Sequence, residues 1–156
     1  GFLMNNNMGN FTLRPDIPDA FGLMGSADNQ IAAGRRPVSS MTPIIVLRDG
    51  VPYLLTGSPG GARIITTNLQ LLVNVLGHGM NIADATVRPR MHHQWQPDRL
   101  QVESGFSPDA LQILMERGHD VEATGAMGSL QTVMWRDGLF YGYSDPRRPG
   151  AKSVGY

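Results

Sequence analysis

The 156-residue chain has no cysteine and a single lysine, and both absences exclude classes of protein. Without cysteine there can be no disulfide, no thiolate metal ligand and no cysteine nucleophile; the absence is neutral about the cellular compartment. Arginine and lysine together number 13, as do aspartate and glutamate, so no net charge attracts nucleic acid or an anionic membrane. No apolar run is long enough to cross a bilayer. We therefore expect neither a nucleic-acid partner nor a membrane span.

Glycine and proline are abundant, at 19 and 11 residues, which favours short strands joined by tight turns. A chain of this length is one domain, or part of a larger one, and can bury about two-thirds of its unfolded surface. Residues 12–36 are weakly periodic and predict a long surface loop, of the kind that often carries function. The apolar start, residues 1–4, is typical of a strand entered midway, so we expect the chain to begin inside a fold.

The most informative pattern is a strand, turn, strand, glycine-rich corner and helix in succession. Apolar runs at 44–47 and 53–55 flank a turn at Asp49-Gly50, which predicts a β-hairpin. The corner, residues 56–63, follows the second strand. Helical spacing then places apolar side chains on one face over three turns. These residues are Ile64, Ile65, Leu69, Leu72, Val73 and Leu76.

The corner has a chemical interpretation and a steric one. The first turn of a helix leaves backbone N–H groups without intrahelical partners, at the positive end of the helix dipole. Gly60 and Gly61 have no Cβ, so another group can approach this backbone closely. The pair can therefore form an anion site, or a hole for a developing oxyanion, without a charged side chain. Alternatively, the glycines only allow a tight strand-to-helix connection.

Caps and alternation predict the remaining elements. Asn81 is expected to cap a short helix that ends before Pro89, and Ser107-Pro108 is typical of another helix start. The other predictions are an edge strand over 100–103, a helix over 108–118, a strand over 120–123, a hairpin with strands over 131–135 and 140–143, and a surface coil over 144–156.

His92 and His93 form the one tempting pair of metal ligands. In a strand, adjacent side chains point to opposite faces, so the two rings cannot reach one ion. No nearby carboxylate completes a ligand set, because Asp98 lies beyond Pro97. The expected role of both histidines is packing or hydrogen bonding, and we predict no metal site and no cofactor.

An acyl-transfer site needs a nucleophile, a base and oxyanion donors, and the residues supply only the donors. Gly60 and Gly61 are candidate donors, while Ser39 and Ser40 either cap a turn or line a pocket. Neither serine lies in a Gly-x-Ser-x-Gly elbow or has an assignable histidine partner. The corner also lacks the lysine of a phosphate-binding loop. Composition and pattern alone indicate an α/β domain with a pocket of backbone donors.

Several motifs in fixed order resemble the γ-glutamyltransferase (γ-glutamyltranspeptidase) family from one end of the chain to the other. Each motif is weak alone, whereas the ordered set is specific. The motifs are Asn5-Asn6-x-Met8-x-x-Phe11, Arg36-Pro37-x-Ser39-Ser40-Met41-x-Pro43, Gly57-Ser58-Pro59-Gly60-Gly61-x-Arg63-Ile64-Ile65-Thr66-Thr67, Asn74-Val75, Pro89-Arg90-x-His92-His93-Gln94-Trp95, Gly105-Phe106-Ser107-Pro108-Asp109, Met127-Gly128-Ser129, Ser144-Asp145-Pro146-Arg147 and Gly155-Tyr156.

The resemblance implies an α+β fold that is part of the four-layer αββα sandwich of N-terminal-nucleophile hydrolases. It implies that residues 1–156 are a single domain, the C-terminal part of the small subunit of a self-cleaving precursor, without the first few dozen residues. The threonine nucleophile would lie in that missing segment. The implied activity is cleavage of γ-glutamyl amides such as glutathione, with transfer of the acyl group to water or an amino acid. The implied partners are the large subunit and the missing segment.

The resemblance also implies roles for six residues in the binding and activation of the substrate. They are Gly60 and Gly61 as oxyanion-hole donors, Ser39 and Ser40 as ligands of the substrate α-carboxylate, and Asn7 and Asn10 at the positions that recognise the α-amino group. The oxyanion assignment agrees with the backbone argument given above.

The chain departs from the family pattern where the amino group is bound. The family usually has Glu or Gln at the position of Asn7, and Asp-Asp where this chain has Gly9-Asn10. Asn10 keeps the shape of aspartate without its charge, and charge-assisted hydrogen bonds are about twice as strong as neutral ones. One hypothesis is a preference for acyl groups without the amine, as in glutaryl or cephalosporin acylases. The other is ordinary γ-glutamyl activity, with the Asn10 side-chain carbonyl accepting the ammonium.

Two classes of function follow from these observations. The first is an amide hydrolase or acyltransferase that is active with its partner segments, and the second is a non-catalytic relative that retains the scaffold. A threonine at the start of the full small subunit would favour the first. In either case we expect the isolated chain to be inactive and to expose a large apolar sheet face that requires a partner. The resemblance alone implies a periplasmic or secreted location.

Overall fold

The computed structural model describes residues 1–2 and 4–156, which form two β-sheets and a small set of helices. The strands are β1 Ile44–Arg48, β2 Val51–Gly57, β3 Met91–His92, β4 Leu100–Val102, β5 Val121–Ala123, β6 Gln131–Arg136 and β7 Leu139–Ser144. The α-helices are α1 Arg63–Leu72, α2 Ile82–Val87 and α3 Pro108–Glu116. Two short 3₁₀ turns occupy Asn7–Asn10 and Ala27–Asn29.

The larger sheet is antiparallel, has the strand order β1-β2-β6-β7, and consists of two hairpins paired side by side. Both hairpins turn on an Asp-Gly pair in the left-handed region: Asp49 and Gly50 have φ of 52° and 80°, and Asp137 and Gly138 have φ of 53° and 79°. Two consecutive residues with positive φ twist a two-residue loop in the sense that the strands require. The two predicted hairpins are therefore confirmed.

One face of this sheet packs against the helices and forms the core. Leu54 on β2 lies opposite Met134 on β6, and the hydroxyls of Thr56 and Thr132 are hydrogen-bonded at 3.0 Å. The buried apolar cluster consists of Leu54, Leu71, Val75, Ile82, Ala85, Leu130 and Met134. It joins the sheet to α1 and α2, so the corner between β2 and α1 is anchored on both sides.

The opposite face of the sheet is apolar and largely exposed, with residues 152–154 of the tail bordering it beside β7. Ile45 pairs with Leu55, and Leu55 pairs with Val133, so three apolar side chains form a row across β1, β2 and β6. They are 63%, 36% and 40% exposed. The α+β class is confirmed, since a layer of helices packs on one face of the larger sheet. The apolar sheet face that the sequence predicts is also present, on the other side of that sheet.

The helices begin where the capping residues predict. The Asn81 side chain accepts a hydrogen bond from the Asp84 amide at 2.8 Å, which starts α2. Pro108 occupies the first turn of α3, although the Ser107 side chain makes no capping bond. The helix after the corner continues beyond α1 as a π-helical segment, Val73–Gly77, so the predicted helix is present with a wider last turn.

The smaller sheet corrects one prediction from the sequence. β4 is its central strand, antiparallel to β3 and parallel to β5, and is not an edge strand. Leu100 and Val102 are buried on one face, as their alternation indicates. Alternation shows which side chains face a core, but it carries no information about how many strands lie beside them.

Both ends of the chain also differ from expectation. Gly1, Phe2 and Met4 are exposed and outside any strand, because the described residues offer them no partner strand; residue 3 lies outside the described part. The tail is not simply a surface coil, since Asp145 is fully buried.

The predicted loop over 12–36 is confirmed, with one bridge from Thr12 to Gln30. Within 1–2 and 4–156, no helix is long and apolar enough to cross a membrane.

Candidate active site

The glycine corner joins the end of β2 to the start of α1. Gly60 and Gly61 have φ of 139° and 58°, a region that residues with a Cβ rarely adopt. Their carbonyls accept the first hydrogen bonds of the helix, from the Arg63 amide at 3.1 Å and the Ile64 amide at 3.2 Å. Neither glycine amide donates to an acceptor in the described part of the chain. Two N–H groups at a helix start are thus left for an external acceptor.

A cavity of about 280 Å³ lies beside this corner. Its walls are Pro59 and Gly60 on one side and Gly128 and Ser129 on the other, with the arginines at 147 and 148 at its rim. Because the corner borders open space, a ligand can approach its backbone.

The loop over 12–36 covers the other glycine. A Cβ built on Gly61 would lie 2.5 to 2.6 Å from ring carbons of Phe21, so the ring packs directly on this backbone. The Phe21 carbonyl accepts a hydrogen bond from Gln94 Nε2 at 2.9 Å. Within residues 13–25, no other hydrogen bond reaches a described residue beyond the 12–36 loop. Gln94 therefore holds Phe21 over the corner.

His92 forms a hydrogen bond with the side chain of Gln94 and so helps to fix its position. Its Nε2 lies 2.8 Å from Gln94 Oε1, and its Nδ1 lies 2.7 Å from Thr66 Oγ1 on α1. Burial lowers the pKa of His92, which favours the neutral ring. His93 instead contacts the exposed Asp98 at 3.0 Å, so the two rings have separate partners. The described residues contain no group of three or more histidines and carboxylates that could hold a metal ion.

The four predicted substrate ligands lie in the N-terminal segment before β1. Asn10 borders a cavity of about 740 Å³ formed mainly by the 12–36 loop, whereas Asn7 lies outside it. Ser39 Oγ accepts a hydrogen bond from the Met41 amide at 3.2 Å, and the Ser40 carbonyl accepts one from Thr42. Neither serine lines this cavity or the cavity beside Gly60. The structure of this chain does not bring the six predicted residues together in one cavity, and their roles stay predictions.

Four charged side chains form a buried cluster near the glycine corner, and the sequence did not predict this cluster. Arg90 Nη2 and Asp145 Oδ2 are 2.6 Å apart, as are Arg147 Nη2 and Glu103 Oε2. Arg147 Nη1 also lies 3.2 Å from Asp145 Oδ1. All four side chains are at most 14% exposed. We call these four residues the ion cluster.

Hydrogen bonds decide the charge state of the two carboxylates in the ion cluster. Burial alone would raise the pKa of Glu103, but bonds from the Arg147 guanidinium and from the Met127 and Arg90 amides hold that pKa below its ordinary value. Burial likewise would raise the pKa of Asp145, which bonds from the Arg147 amide, the Arg90 side chain and the Leu130 amide lower instead. Both carboxylates are therefore charged at neutral pH.

The predicted surface coil after β7 is wrong at Asp145 and Arg147 because their partners are distant in sequence. Glu103 is 44 residues from Arg147, and Arg90 is 55 from Asp145. No local pattern indicates such pairs. The one signal in the sequence is that Arg90, Asp145 and Arg147 stand inside motifs of the family resemblance.

Comparison with known proteins gives this geometry a context. The sequence profile described as gamma-glutamyltranspeptidase matches residues 1–155. The chain is 50% identical over 157 residues to the glutathione hydrolase proenzyme of Escherichia coli K12, covering all of this chain and 27% of that protein. It is 36% identical to the glutathione hydrolase proenzyme of Pseudomonas aeruginosa, covering 99% and 28%. The chain thus spans little more than a quarter of the length of these relatives.

Solved structures agree with the sequence comparison. The T380A mutant of Helicobacter pylori gamma-glutamyltranspeptidase superposes with a TM-score of 0.87 at 42% identity, covering 95% of this chain and 82% of that one. The Pseudomonas nitroreducens gamma-glutamyltranspeptidase complexed with L-DON gives a TM-score of 0.88 at 36% identity, covering 100% and 83%. Motif order, fold and sequence identity agree along the whole chain, and the chain belongs to the gamma-glutamyltranspeptidase family.

Proposed function

We propose that the protein containing this chain cleaves γ-glutamyl amides such as glutathione and transfers the acyl group to water or an amino acid. Residues 1–156 form the C-terminal part of its small subunit, and the acyl-enzyme forms on a threonine outside the chain. The observation that carries the proposal is the pair of amides at Gly60 and Gly61, which lack acceptors in the described residues; Gly60 lines an open cavity, and the ring of Phe21 covers Gly61. Family membership and the names of the relatives support the reaction type.

In this mechanism the corner stabilises the tetrahedral intermediate. Attack on the γ-glutamyl carbonyl converts its oxygen to an oxyanion, which accepts hydrogen bonds from the Gly60 and Gly61 amides. Because the backbone fixes these donors before the reaction, no reorganisation is needed as the charge develops. Loss of one such donor typically lowers kcat by about 10² to 10³. The ring of Phe21 packs on Gly61 and so limits access of water to that glycine.

The polar residues before β1 bind the glutamyl group. Ser39 Oγ already accepts the Met41 amide, so its O–H is left to donate to the substrate α-carboxylate. Ser40 supplies a second hydroxyl. Asn7 and Asn10 offer side-chain carbonyls to the α-ammonium. In this chain alone these groups lie apart, and we propose that the large subunit and the N-terminal segment of the small subunit complete the pocket.

The substrate choice between γ-glutamyl and glutaryl amides depends on Asn10. The names of the relatives favour the γ-glutamyl group over the glutaryl alternative. We expect Asn10→Asp to lower KM for a γ-glutamyl anilide about threefold to tenfold, because a carboxylate bonds the ammonium more strongly than an amide does. A glutaryl anilide has no ammonium, so its KM should not fall. The matched control is Asn5→Asp, which adds the same charge in the same loop.

The direct test is turnover by the complete precursor after self-cleavage. Hydrolysis of the γ-glutamyl anilide, with loss of activity when the upstream threonine is replaced by alanine, would support the proposal. A matured protein with no hydrolysis would instead identify a non-catalytic relative. A clear preference for the glutaryl anilide would move the function to the acylase class. The proposed location, periplasmic or secreted, is tested by fractionation of the host cell.

A further inference from the structure

The ion cluster takes no direct part in the proposed reaction. Its members come from separate places in the fold: Arg90 precedes β3, Glu103 follows β4, and Asp145 and Arg147 follow β7. Burying four charges is costly unless each is paired and hydrogen-bonded. Such a cluster is also a poor route to stability compared with an apolar core of the same volume. Its position therefore needs an explanation other than stability.

Three of its hydrogen bonds hold one short segment, residues 127–130, which we call the 127–130 loop. Glu103 Oε1 accepts from the Met127 amide at 2.6 Å, and Arg90 Nη1 donates to the Met127 carbonyl at 2.5 Å. Asp145 Oδ2 accepts from the Leu130 amide at 2.9 Å. The cluster thus fixes both ends of the loop.

The middle of this loop lies against the glycine corner. The Gly128 Cα is 3.6 Å from the position that a Cβ on Gly60 would take. The Ser129 amide donates to Ser58 Oγ at 2.9 Å, and Ser58 Oγ donates to the Pro59 carbonyl at 2.8 Å. Gly128 has a φ of 68°, and a Cβ there would lie 2.5 Å from Ser58 Oγ. Only glycine allows this close contact between the two segments.

We propose that the ion cluster is a positioning device that sets the 127–130 loop against Gly60 and thereby fixes the direction of the oxyanion-hole amides. The inference rests on the proposed role of Gly60 and Gly61. Arg90, Glu103, Asp145 and Arg147 are positioning residues, which act on the substrate only through the loop and the corner. Functional donors must be held to within about 0.5 Å, and a network of charge-assisted bonds provides that rigidity.

The first experiment compares Glu103→Gln and Asp145→Asn with the unaltered enzyme in the complete, matured protein. Each variant keeps the size of the side chain and replaces one acceptor by a donor that faces an N–H group. We expect kcat per active site, counted by irreversible covalent labelling of the nucleophile with a glutamine analogue, to fall about tenfold to a hundredfold. KM for the γ-glutamyl anilide should stay within about threefold, because the substrate ligands are untouched. The matched control is Glu116→Gln on α3, whose carboxylate bonds only Gln112 among the described residues.

A second measurement separates positioning from stability. A boronate analogue of the substrate forms a tetrahedral adduct with the nucleophile, whereas glutamate binds without one. We expect the variants to lose boronate affinity by about the same factor as kcat, with glutamate affinity unchanged. A purely structural cluster would lower the melting temperature and the number of active sites, but neither kcat per site nor the ratio of the two affinities.

The outcomes distinguish this inference from the proposed function. An unaltered enzyme that neither hydrolyses the anilide nor binds the boronate contradicts the proposed function. An active enzyme whose variants keep kcat per site contradicts the positioning role alone. Where a variant does not mature, Arg147→Lys replaces it, since lysine keeps the charge but cannot bond two carboxylates in the same fork geometry. Loss of folding in all three variants would assign the cluster to stability and overturn the inference.

Discussion

At the scale of single residues, both the backbone dihedral and a neighbouring side chain restrict position 61 to glycine. Its φ of 58° is unfavourable for a residue with a Cβ, and the ring of Phe21 occupies the space of that atom. We expect Gly61→Ala to destabilise the complete protein by about 1–2 kcal/mol for the dihedral alone, with a further loss for the steric contact. Thermal unfolding of the matured protein measures the sum.

Two controls separate these contributions. Gly79 has a φ of 68°, and no atom of the described residues outside its own neighbours lies within 4 Å of the place that a Cβ would take there, so Gly79→Ala should show the dihedral cost alone. Adding Phe21→Ala to Gly61→Ala should remove the steric part and leave a loss similar to that of Gly79→Ala, once the effect of Phe21→Ala alone is subtracted. If Gly61→Ala and Gly79→Ala destabilise equally, Phe21 does not confine Gly61.

The buried carboxylates predict an acid limit to stability. The pKa values of Glu103 and Asp145 lie below their ordinary values of 4.5 and 3.8, because hydrogen bonds and arginines outweigh the effect of burial. The folded protein therefore binds fewer protons than the unfolded chain as the pH falls through this range. The stability that these groups contribute is complete above a pH of about 4.5 and is lost as the pH falls through the folded-state pKa values.

We expect Asp145→Asn to lower stability by about 3–5 kcal/mol at neutral pH, since it leaves Arg90 without its partner. The difference from the unaltered protein should shrink as the pH falls. Melting temperatures measured between about pH 3 and 7 test both statements. Asp137→Asn, in the exposed hairpin turn, is the matched control and should leave the stability at neutral pH unchanged, because its one ion pair is exposed. A constant difference at every pH would contradict the assignment.

At the scale of elements, the sequence predicts what is encoded locally. The hairpins β1-β2 and β6-β7 follow from an Asp-Gly pair between alternating runs, and α2 follows from the cap at Asn81. The corner is predictable for the same reason, because the conformational freedom of Gly60 and Gly61 is a property of the residues themselves. The neighbours of β4 and the partners of Asp145 are not predictable in this way, because those contacts join segments distant in sequence and leave no periodic trace.

The 12–36 loop offers a prediction about the side chain of Gln94. Replacing it removes the bond to the Phe21 carbonyl and also the bonds to His92 and to the Gln96 carbonyl, and the first of these reaches the loop. Gln94 Nε2 joins the Phe21 carbonyl to the body of the protein, and a bond of this kind contributes about 1 kcal/mol. Gln94→Leu should therefore raise the open population of the loop about fivefold. We expect hydrogen exchange of the peptide over residues 19–25 to accelerate by this factor, while β6 and β7 exchange as before.

The matched control for the loop is Gln112→Leu on α3. In the part of the chain that the structure describes, Gln112 makes one side-chain hydrogen bond, to Glu116 within its own helix, and it is remote in sequence from the loop. Its exchange pattern over residues 19–25 should equal that of the unaltered protein. Equal exchange in the Gln94→Leu variant would mean that packing of Phe21 alone keeps the loop closed.

At the scale of the whole molecule, the uncovered sheet face determines how the chain behaves by itself. A sheet with one face on a helix layer and an apolar opposite face leaves a large hydrophobic surface in water. Burying a fully exposed leucine or valine side chain contributes about 1.5–3 kcal/mol. The side chains of Ile45, Leu55 and Val133 are 36–63% exposed, so covering each of them contributes part of that figure. Burial of this row thus favours association with a second sheet, which the proposed large subunit would supply.

The same surface leads to one prediction for the isolated chain and to the opposite prediction for the assembled complex. Leu55→Lys combined with Val133→Lys should increase the soluble, monomeric fraction of the isolated chain, because two charges replace exposed apolar groups. In the co-expressed complex the double variant should abolish assembly, because those charges would be buried without partners. Size-exclusion chromatography measures both effects. Ile113→Lys with Met115→Lys, at half-exposed apolar positions of α3, is the matched control. A double sheet variant that still assembles would show that the partner covers another face of the molecule.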